Sequence, residues 1–503
     1  MSSNAISNAS SADSQLRRNR LGVVGIVFFV VAAAAPLVGM TGAVPVAIVA
    51  GNGAGVPGAY LFVGITLLLF SVGYATMSGH VTNAGAFFAY VGRGLGMIPG
   101  VASAFVSLLA YLAVQLAIYG FFGVIMSGQM EQYGLSLHPY AWALIAWALV
   151  FALSWFSVDI GAKFLGVLMS VELLSLVVVA LAVFFKGGGP NGLDFAASFS
   201  PSKVFTMAPG IALAFAFASF IGFEATAIYG EEARDPKRAV PRATYLSVTI
   251  ITVLFAMVSF AIVSGLGSAN IVDTVAKTTK VGDVVLGNPA QALWDVSDTF
   301  VGPWLTTTMQ WLVISSLFAG LLAFQNSSAR YFFSLGRAGV LPNSAARTNS
   351  FGSPATGSII TSVITAVVIG VFWLKKLDAF NAMFSWFSAL SVLAIVFVEA
   401  LVCIAVIRYF RRSESGDSRL WQTLIAPVLA FIGLCYGEYL LASKFGVLCP
   451  PVALNPAAPA DWGYTTTGWS LVLSAVVVFV LGCVVAAGRR GAESEDAVRD
   501  LVS

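Results

Sequence analysis

The sequence predicts an all-helical protein that crosses a lipid bilayer about twelve times, and three observations carry that prediction. Of its 503 residues, 58% are hydrophobic and only 10% are charged, whereas a soluble domain carries about 25% charged residues. The apolar residues are gathered into runs of roughly twenty, the length that crosses about 30 Å of hydrocarbon. The basic residues between those runs sort to alternate gaps. A transmembrane barrel would show short alternating segments instead.

Residues 1–20 are rich in Ser, Asn and Ala and end in Arg17, Arg18 and Arg20; they read as a disordered cytoplasmic tail. The next apolar run has the look of a signal-peptide core. It continues past Pro36 to Ala50, however, and further spans follow, so cleavage is not expected. Twelve spans are predicted, at residues 21–49, 58–78, 98–127, 140–158, 164–185, 208–229, 244–266, 304–324, 355–374, 382–407, 421–441 and 468–487.

All 26 basic residues test this register. With the N-terminus in the cytoplasm and the spans alternating, 19 of them fall inside and 7 outside, and every arginine is inside. That asymmetry is the positive-inside pattern, and one missed span would scramble it. Both termini are therefore expected in the cytoplasm. The net charge of +3 is dispersed, which gives nucleic-acid binding no support. Cys403, Cys435, Cys449 and Cys483 lie far apart and form no CxxC pair, and His80 and His138 are isolated. Neither a disulfide framework nor a metal site is indicated, and no cofactor is implied.

The first span is interrupted. It reads Ala35-Pro36-Leu37-Val38-Gly39-Met40-Thr41-Gly42-Ala43-Val44-Pro45. Proline removes a backbone donor and clashes with the preceding turn, while glycine permits non-helical backbone. Either a kink or a true break satisfies this pattern, and a break is expected. Amides around Gly39 to Gly42 would then face a polar cavity near the midplane and could hold a carboxylate. The sixth span has a similar centre, with Ser219, Gly222, Glu224 and Thr226.

Within the twelve spans the charged side chains are Glu172, Glu224, Glu399 and Glu438. An ionised carboxylate at that depth is costly, so each must carry a proton or find hydrogen-bond donors. Glu172 lies nine residues beyond Lys163 and Glu399 nine before Arg408, about 13 Å from the cytoplasmic ends at 1.5 Å per residue. Glu438 falls nearer the outer interface. Glu224, Glu172 and Glu399 are the candidate proton-coupling residues; structural hydrogen bonding between helices is the plainer role for each. Tyr111, Gln115 and Tyr119 repeat every four residues on one face of the third span, which suits a cavity wall or helix packing equally. Ser315 and Ser316 suit a cation site, or ordinary bonding to their own helix backbone.

Together these features resemble the amino acid–polyamine–organocation superfamily of permeases. Besides the interrupted first span, Phe220-Ile221-Gly222-Phe223-Glu224 is similar to the sixth-helix signature. Glu231-Glu232-Ala233-Arg234-Asp235-Pro236 is similar to the loop that follows it. Asn83-Ala84-Gly85-Ala86-Phe87-Phe88 resembles the loop between helices 2 and 3, and Gly336-Arg337-Ala338-Gly339-Val340-Leu341-Pro342 the stretch after helix 8.

The resemblance implies a five-plus-five inverted repeat with discontinuous helices 1 and 6. It divides the chain into a tail (1–20), a ten-helix core (21–410), helices 11 and 12 (411–488) and a second tail (489–503). It also implies a substrate carboxylate at the unwound part of helix 1 (Val38, Gly39, Met40, Thr41 and Gly42) and an amine at the helix 6 carbonyls of Ala218, Ser219, Phe220 and Ile221, with Gly222 in the same expected site. The loop with Glu231, Glu232 and Asp235 is expected near an inner gate, or is equally a solvated charged turn. Tyr111 and Gln115 complete the expected substrate site. Many relatives carry a lysine where this chain places Glu172, which leaves proton coupling and support of a cation both open.

The expected function is import of an amino acid or related amine across a bacterial inner membrane by proton symport. A polyamine or organic-cation carrier and an exchanger are the alternatives. An intramembrane enzyme would need a Ser/His pair, paired aspartates or HExxH at membrane depth, and the spans contain none. A non-transporting receptor is the remote alternative.

Overall fold

The computed structural model describes residues 22–81, 86–156, 162–224, 226, 233, 235–279, 288–337, 339–412, 419–449 and 464–488. Helices make up most of these. Among the described residues the extended pairings are isolated bridges, Gly189 with Gly192 and Thr348 with Pro354. The expected tails, Glu231 and Glu232 lie outside the described residues.

In hydrocarbon a backbone N–H or C=O finds no water, so a spanning segment must close its hydrogen bonds internally. Each of the twelve expected spans accordingly holds a helix. These are Val23–Ala33 with its continuation from Pro36, Val56–Ser78, Met97–Glu131, Pro139–Trp155, Ala162–Phe185, Pro209–Ala218, Pro236–Leu266, Pro303–Arg337, Ala355–Leu374, Ser385–Arg412, Ala426–Lys444 and Thr466–Gly488. Pro57, Pro139, Pro209 and Pro236 sit in first turns, where a missing N–H would have had no helical partner anyway.

Nine helical stretches among the described residues are long and apolar enough to cross a membrane. One of them, Pro36–Ser78, has 43 residues and would extend about 65 Å if straight, twice the hydrocarbon thickness. It turns back at Gly51 (φ −106°, ψ −113°) and Gly53 (φ 60°), separating the first span from the second. Pro139–Trp155 and Pro209–Ala218 are shorter apolar helices, which accounts for all twelve.

The third span is the hub. It packs against the fourth, eighth, tenth and twelfth spans and the helix Ala86–Leu95, and 83% of its most apolar window is buried. For the twelfth span the figure is 11%, which places that helix on the rim with Val476, Val480 and Val484 facing outward. Outside the bundle, the segment between the fifth and sixth spans is strapped to its neighbours. Gly189 N–H donates to the Ser264 carbonyl at 2.9 Å, Ser268 Oγ to Asp194 Oδ2 at 2.9 Å, and Asn52 Nδ2 to the Val204 carbonyl at 2.7 Å. The Ala197 N–H and the Ser268 hydroxyl hold the Asp194 carboxyl below the usual carboxylate range.

The rim helix touches the hub at a glycine. A Cβ on Gly482 would stand 2.6 Å from Ala102 Cα, the small-residue contact by which membrane helices approach closely. Gly482→Leu is expected to cost about 1–3 kcal/mol through overpacking and to lower the melting temperature of the detergent-solubilised protein. Unchanged melting would show that this contact does not hold the twelfth helix.

Candidate functional site

The first span is broken, and proline decides where. The residue before a proline is pushed out of the α region, and Ala35 stands at φ 41°, ψ 67° between Val23–Ala33 and the helix that restarts at Pro36. The opened backbone is thus at residues 34–36, one turn before the expected Gly39–Gly42 stretch. Gly39–Ala43 is helical, with wide turns, and the Thr41 hydroxyl donates back to the Leu37 carbonyl at 2.6 Å. Its glycines serve close approach rather than unwinding. A Cβ on Gly39 would lie 3.3 Å from Ser219 Oγ, and one on Gly42 would lie 2.8 Å from Phe121 and 3.1 Å from Phe384. Val38 and Met40 lie in the same helical stretch, with Met40 fully buried.

The sixth span stops at Ala218 and passes through turns to Glu224. The Ala218 and Phe220 carbonyls accept from the Ile221 and Phe223 N–H groups at 3.3 and 3.1 Å, and a carbonyl oxygen has a second lone pair for another donor. Gly222 has φ 112°, and a Cβ there would stand 2.9 Å from Ala33 Cβ. With Gly39 against Ser219 on the other side, the two breaks touch.

Each break holds a buried carboxylate from which the other features radiate. Glu172, 2% exposed, accepts from the Leu37 N–H at 2.8 Å and from Ser316 Oγ at 3.2 Å. Leu37 is the first donor of the half-helix, because Pro36 has no N–H. Glu224, 1% exposed, accepts from Tyr111 Oη at 2.7 Å and from the Gly222 N–H at 2.8 Å. Ser315 instead bonds its own helix, donating to the Leu312 carbonyl at 2.8 Å.

Tyr111 and Gln115 diverge although they share a helix face. Gln115 Nε2 donates to Gln325 Oε1 at 2.9 Å, and Gln325 Nε2 donates on to Ser362 Oγ at 2.9 Å, which joins the third, eighth and ninth spans. Glu399 (3% exposed) and Glu438 each keep one buried carboxyl oxygen, Oε2, without a hydrogen-bond partner. Asp235 is exposed and pairs loosely with Arg238 at 3.9 Å. Among the described residues no group of His, Cys, Asp or Glu is arranged to hold a metal.

Two tyrosines of the second span escaped the sequence reading. Tyr60 Oη and Ser219 Oγ are 3.0 Å apart, and Tyr74 Oη donates to the Glu224 carbonyl at 2.8 Å. Their spacing of about four helical turns puts both on one face of an apolar helix, a signal that could have found them. Aromatic rings cluster beside Gly42 and around Tyr74. Phe384 packs on Phe380, Phe121 and Phe215 at centroid distances of 4.9, 5.1 and 5.9 Å, and Tyr74 packs on Tyr90 and Phe87 at 5.1 and 5.6 Å.

The amino acid permease family matches residues 21–490, and the chain belongs to that family. A branched-chain amino acid permease of Lactococcus lactis is 26% identical over 76% of this chain and 81% of its own length. Two proteins of Arabidopsis thaliana are also similar. One, named a chloroplastic cationic amino acid transporter, is 25% identical over 86% of this chain and 70% of its own. The other, named cationic amino acid transporter 1, is 22% identical over 84% and 72%.

The contact between the breaks is testable at Gly222. Gly222→Ala forces a side chain into left-handed backbone against Ala33, and a loss of about 1–3 kcal/mol is expected, read as a lower melting temperature in detergent. Gly128→Ala, where a Cβ would meet nothing within 4 Å, is expected to leave melting unchanged or slightly higher. Equal melting of both variants would contradict the contact.

Proposed function

We propose that this member of the amino acid permease family imports an amino acid by proton symport with alternating access across a bacterial plasma membrane. The observation that carries this reading is the pair of touching helix breaks, each holding one buried carboxylate. The second half-helix begins with the N–H groups of Leu37 and Val38, ahead of the helical ladder that starts at Gly39 N–H to the Ala35 carbonyl, and this positive end of the dipole suits a substrate carboxylate, with Met40, Thr41 and Gly42 in the turn behind it. The turn from Ala218 to Gly222 presents carbonyls to the amine, and the walls around it are largely apolar.

Alternating access then has its parts. The half-helices pivot at Ala35 and Gly222. Phe121, Phe215, Phe380 and Phe384 close the outer side, and Tyr74 and Tyr111 latch Glu224 on the inner side. Glu231, Glu232 and Asp235 belong to the inner gate. Glu224, Glu172 and Glu399 are the groups through which a proton passes. Residues 21–410 form the moving core, helices 11 and 12 (411–488) brace it, and the tails at 1–20 and 489–503 are cytoplasmic.

A second reading is a cationic substrate, a polyamine or basic amino acid, exchanged or carried. It is favoured by the same carboxylates and by the names of the two plant relatives.

Reconstituted in liposomes, the protein is expected to take up at least one member of an amino acid and amine panel, faster with an inward proton gradient. Glu224→Gln or Glu172→Gln is expected to remove at least tenfold of that stimulation; full proton drive in both variants would overturn the proton assignment. Inhibition by putrescine but not by zwitterionic amino acids would favour the cationic reading, and uptake only into preloaded vesicles would favour exchange. For the topology, a cysteine at Lys376 in a protein cleared of native cysteines is expected to react with an impermeant thiol reagent in intact cells, and one at Arg412 is not. The reverse pattern would invert the orientation.

A further inference from the structure

We infer that Glu172 is a tethered competitor for the substrate's carboxylate, seated on the half-helix N-terminus and displaced when substrate arrives. This rests on the amino acid substrate argued above and adds how proton and substrate are coupled. Three observations lead to it. The Glu172 carboxylate accepts the Leu37 N–H at 2.8 Å, and Leu37 is the first residue of the half-helix able to donate. Glu172 reaches that position from the fifth span, 135 residues away in sequence, so tertiary placement and no local turn brings it there. Among the described residues its other donor is Ser316 at 3.2 Å, a side chain on the eighth span that stays available when Leu37 is taken.

A substrate carboxylate is chemically the same acceptor. Two ionised carboxylates cannot share one buried helix end, because like charges at that distance disfavour each other's ionised form. Entry of the substrate therefore removes Glu172 from Leu37. The displaced carboxylate takes up one hydronium-borne proton from the aqueous phase and becomes a neutral acid whose O–H donates to Ser316 Oγ. The Leu37 N–H passes to the substrate oxygen, so substrate and one proton load together. When substrate leaves, Glu172 gives up the proton and returns.

The elements packed against the fifth span are the first span's half-helix, the seventh and eighth spans and the helix Gln291–Phe300. The first span's half-helix carries no ionisable residue. The seventh span carries Lys237, Arg238, Arg242 and Tyr245 in its first turns, the eighth Arg330, Tyr331 and Arg337 in its last, and the helix Gln291–Phe300 carries Asp295 and Asp298. Lys163 and Lys186 stand at the ends of the fifth span itself. The polar contacts of the Glu172 carboxylate among the described residues are the Leu37 N–H and the Ser316 hydroxyl.

The test is equilibrium binding to the purified full-length protein in nanodiscs between pH 5 and pH 7, where a free amino acid keeps its charge. The probes are the best-bound of the common L-amino acids other than histidine, whose side chain titrates in this range, and its carboxamide, which lacks the carboxylate. Affinity for the amino acid is expected to tighten as pH falls, by up to tenfold per pH unit, while affinity for the carboxamide stays flat. Glu172→Ala is expected to flatten the amino acid curve and to bind more tightly than wild type at pH 7. The probe comparison needs no variant, so it stands even if Glu172→Ala fails to fold. A flat wild-type curve for the amino acid, an equal slope for the carboxamide, or a Glu172→Ala protein that keeps the slope would overturn the inference. Absence of binding by any amino acid at any pH would instead overturn the amino acid reading itself.

Discussion

A carboxylate placed in hydrocarbon must find donors, and the donors most readily available in a bundle of helices are the N–H groups freed where a helix is broken. This requirement organises the centre of the molecule. Glu172 takes the Leu37 N–H at the start of one half-helix, and Glu224 takes the Gly222 N–H in the turn that ends the other. Each interruption alone would leave backbone groups unbonded, and each acid alone would be an uncompensated buried charge. Together they satisfy one another, and the breaks meet where Gly222 lies against Ala33 and Gly39 against Ser219.

The surrounding polar contacts divide into two kinds. Tyr111, Tyr74 and Tyr60 attach the third and second spans to the sixth at Glu224 and Ser219. These bonds reach segments already opened by broken backbone. Gln115, Gln325 and Ser362 join three uninterrupted helices, with Ser154 bonded to Asn326 nearby at 2.7 Å. A network among continuous helices holds them as a unit, since moving one leaves buried amides unpaired. The chain thus sets two broken spans, the first and the sixth, against a cross-linked frame around the third and eighth spans.

Much of this was legible in the sequence, and much of the rest was not. Proline at 36 announced the break, but glycines at 39 and 42 suggested the wrong turn for it. Glycine signals either freedom of backbone or lack of bulk, and here Phe121, Phe384 and Ser219 use the lack of bulk. Tyr111 and Gln115 were rightly placed on one face, yet a shared face does not give a shared partner. The first serves Glu224 and the second Gln325.

The sequence by itself determined the number of spans, the proline-marked interruption and the identity of the embedded acids. These are local properties, set by apolar length, by the proline ring and by the cost of charge in oil. Only the tertiary structure decided what those acids touch. Glu172 meets Leu37 across 135 residues of chain, Glu224 meets Tyr111 across 113, and Gln115 meets Gln325 across 210. No periodicity spans such distances, because these pairings follow from how helices pack, and packing is settled by the whole bundle at once.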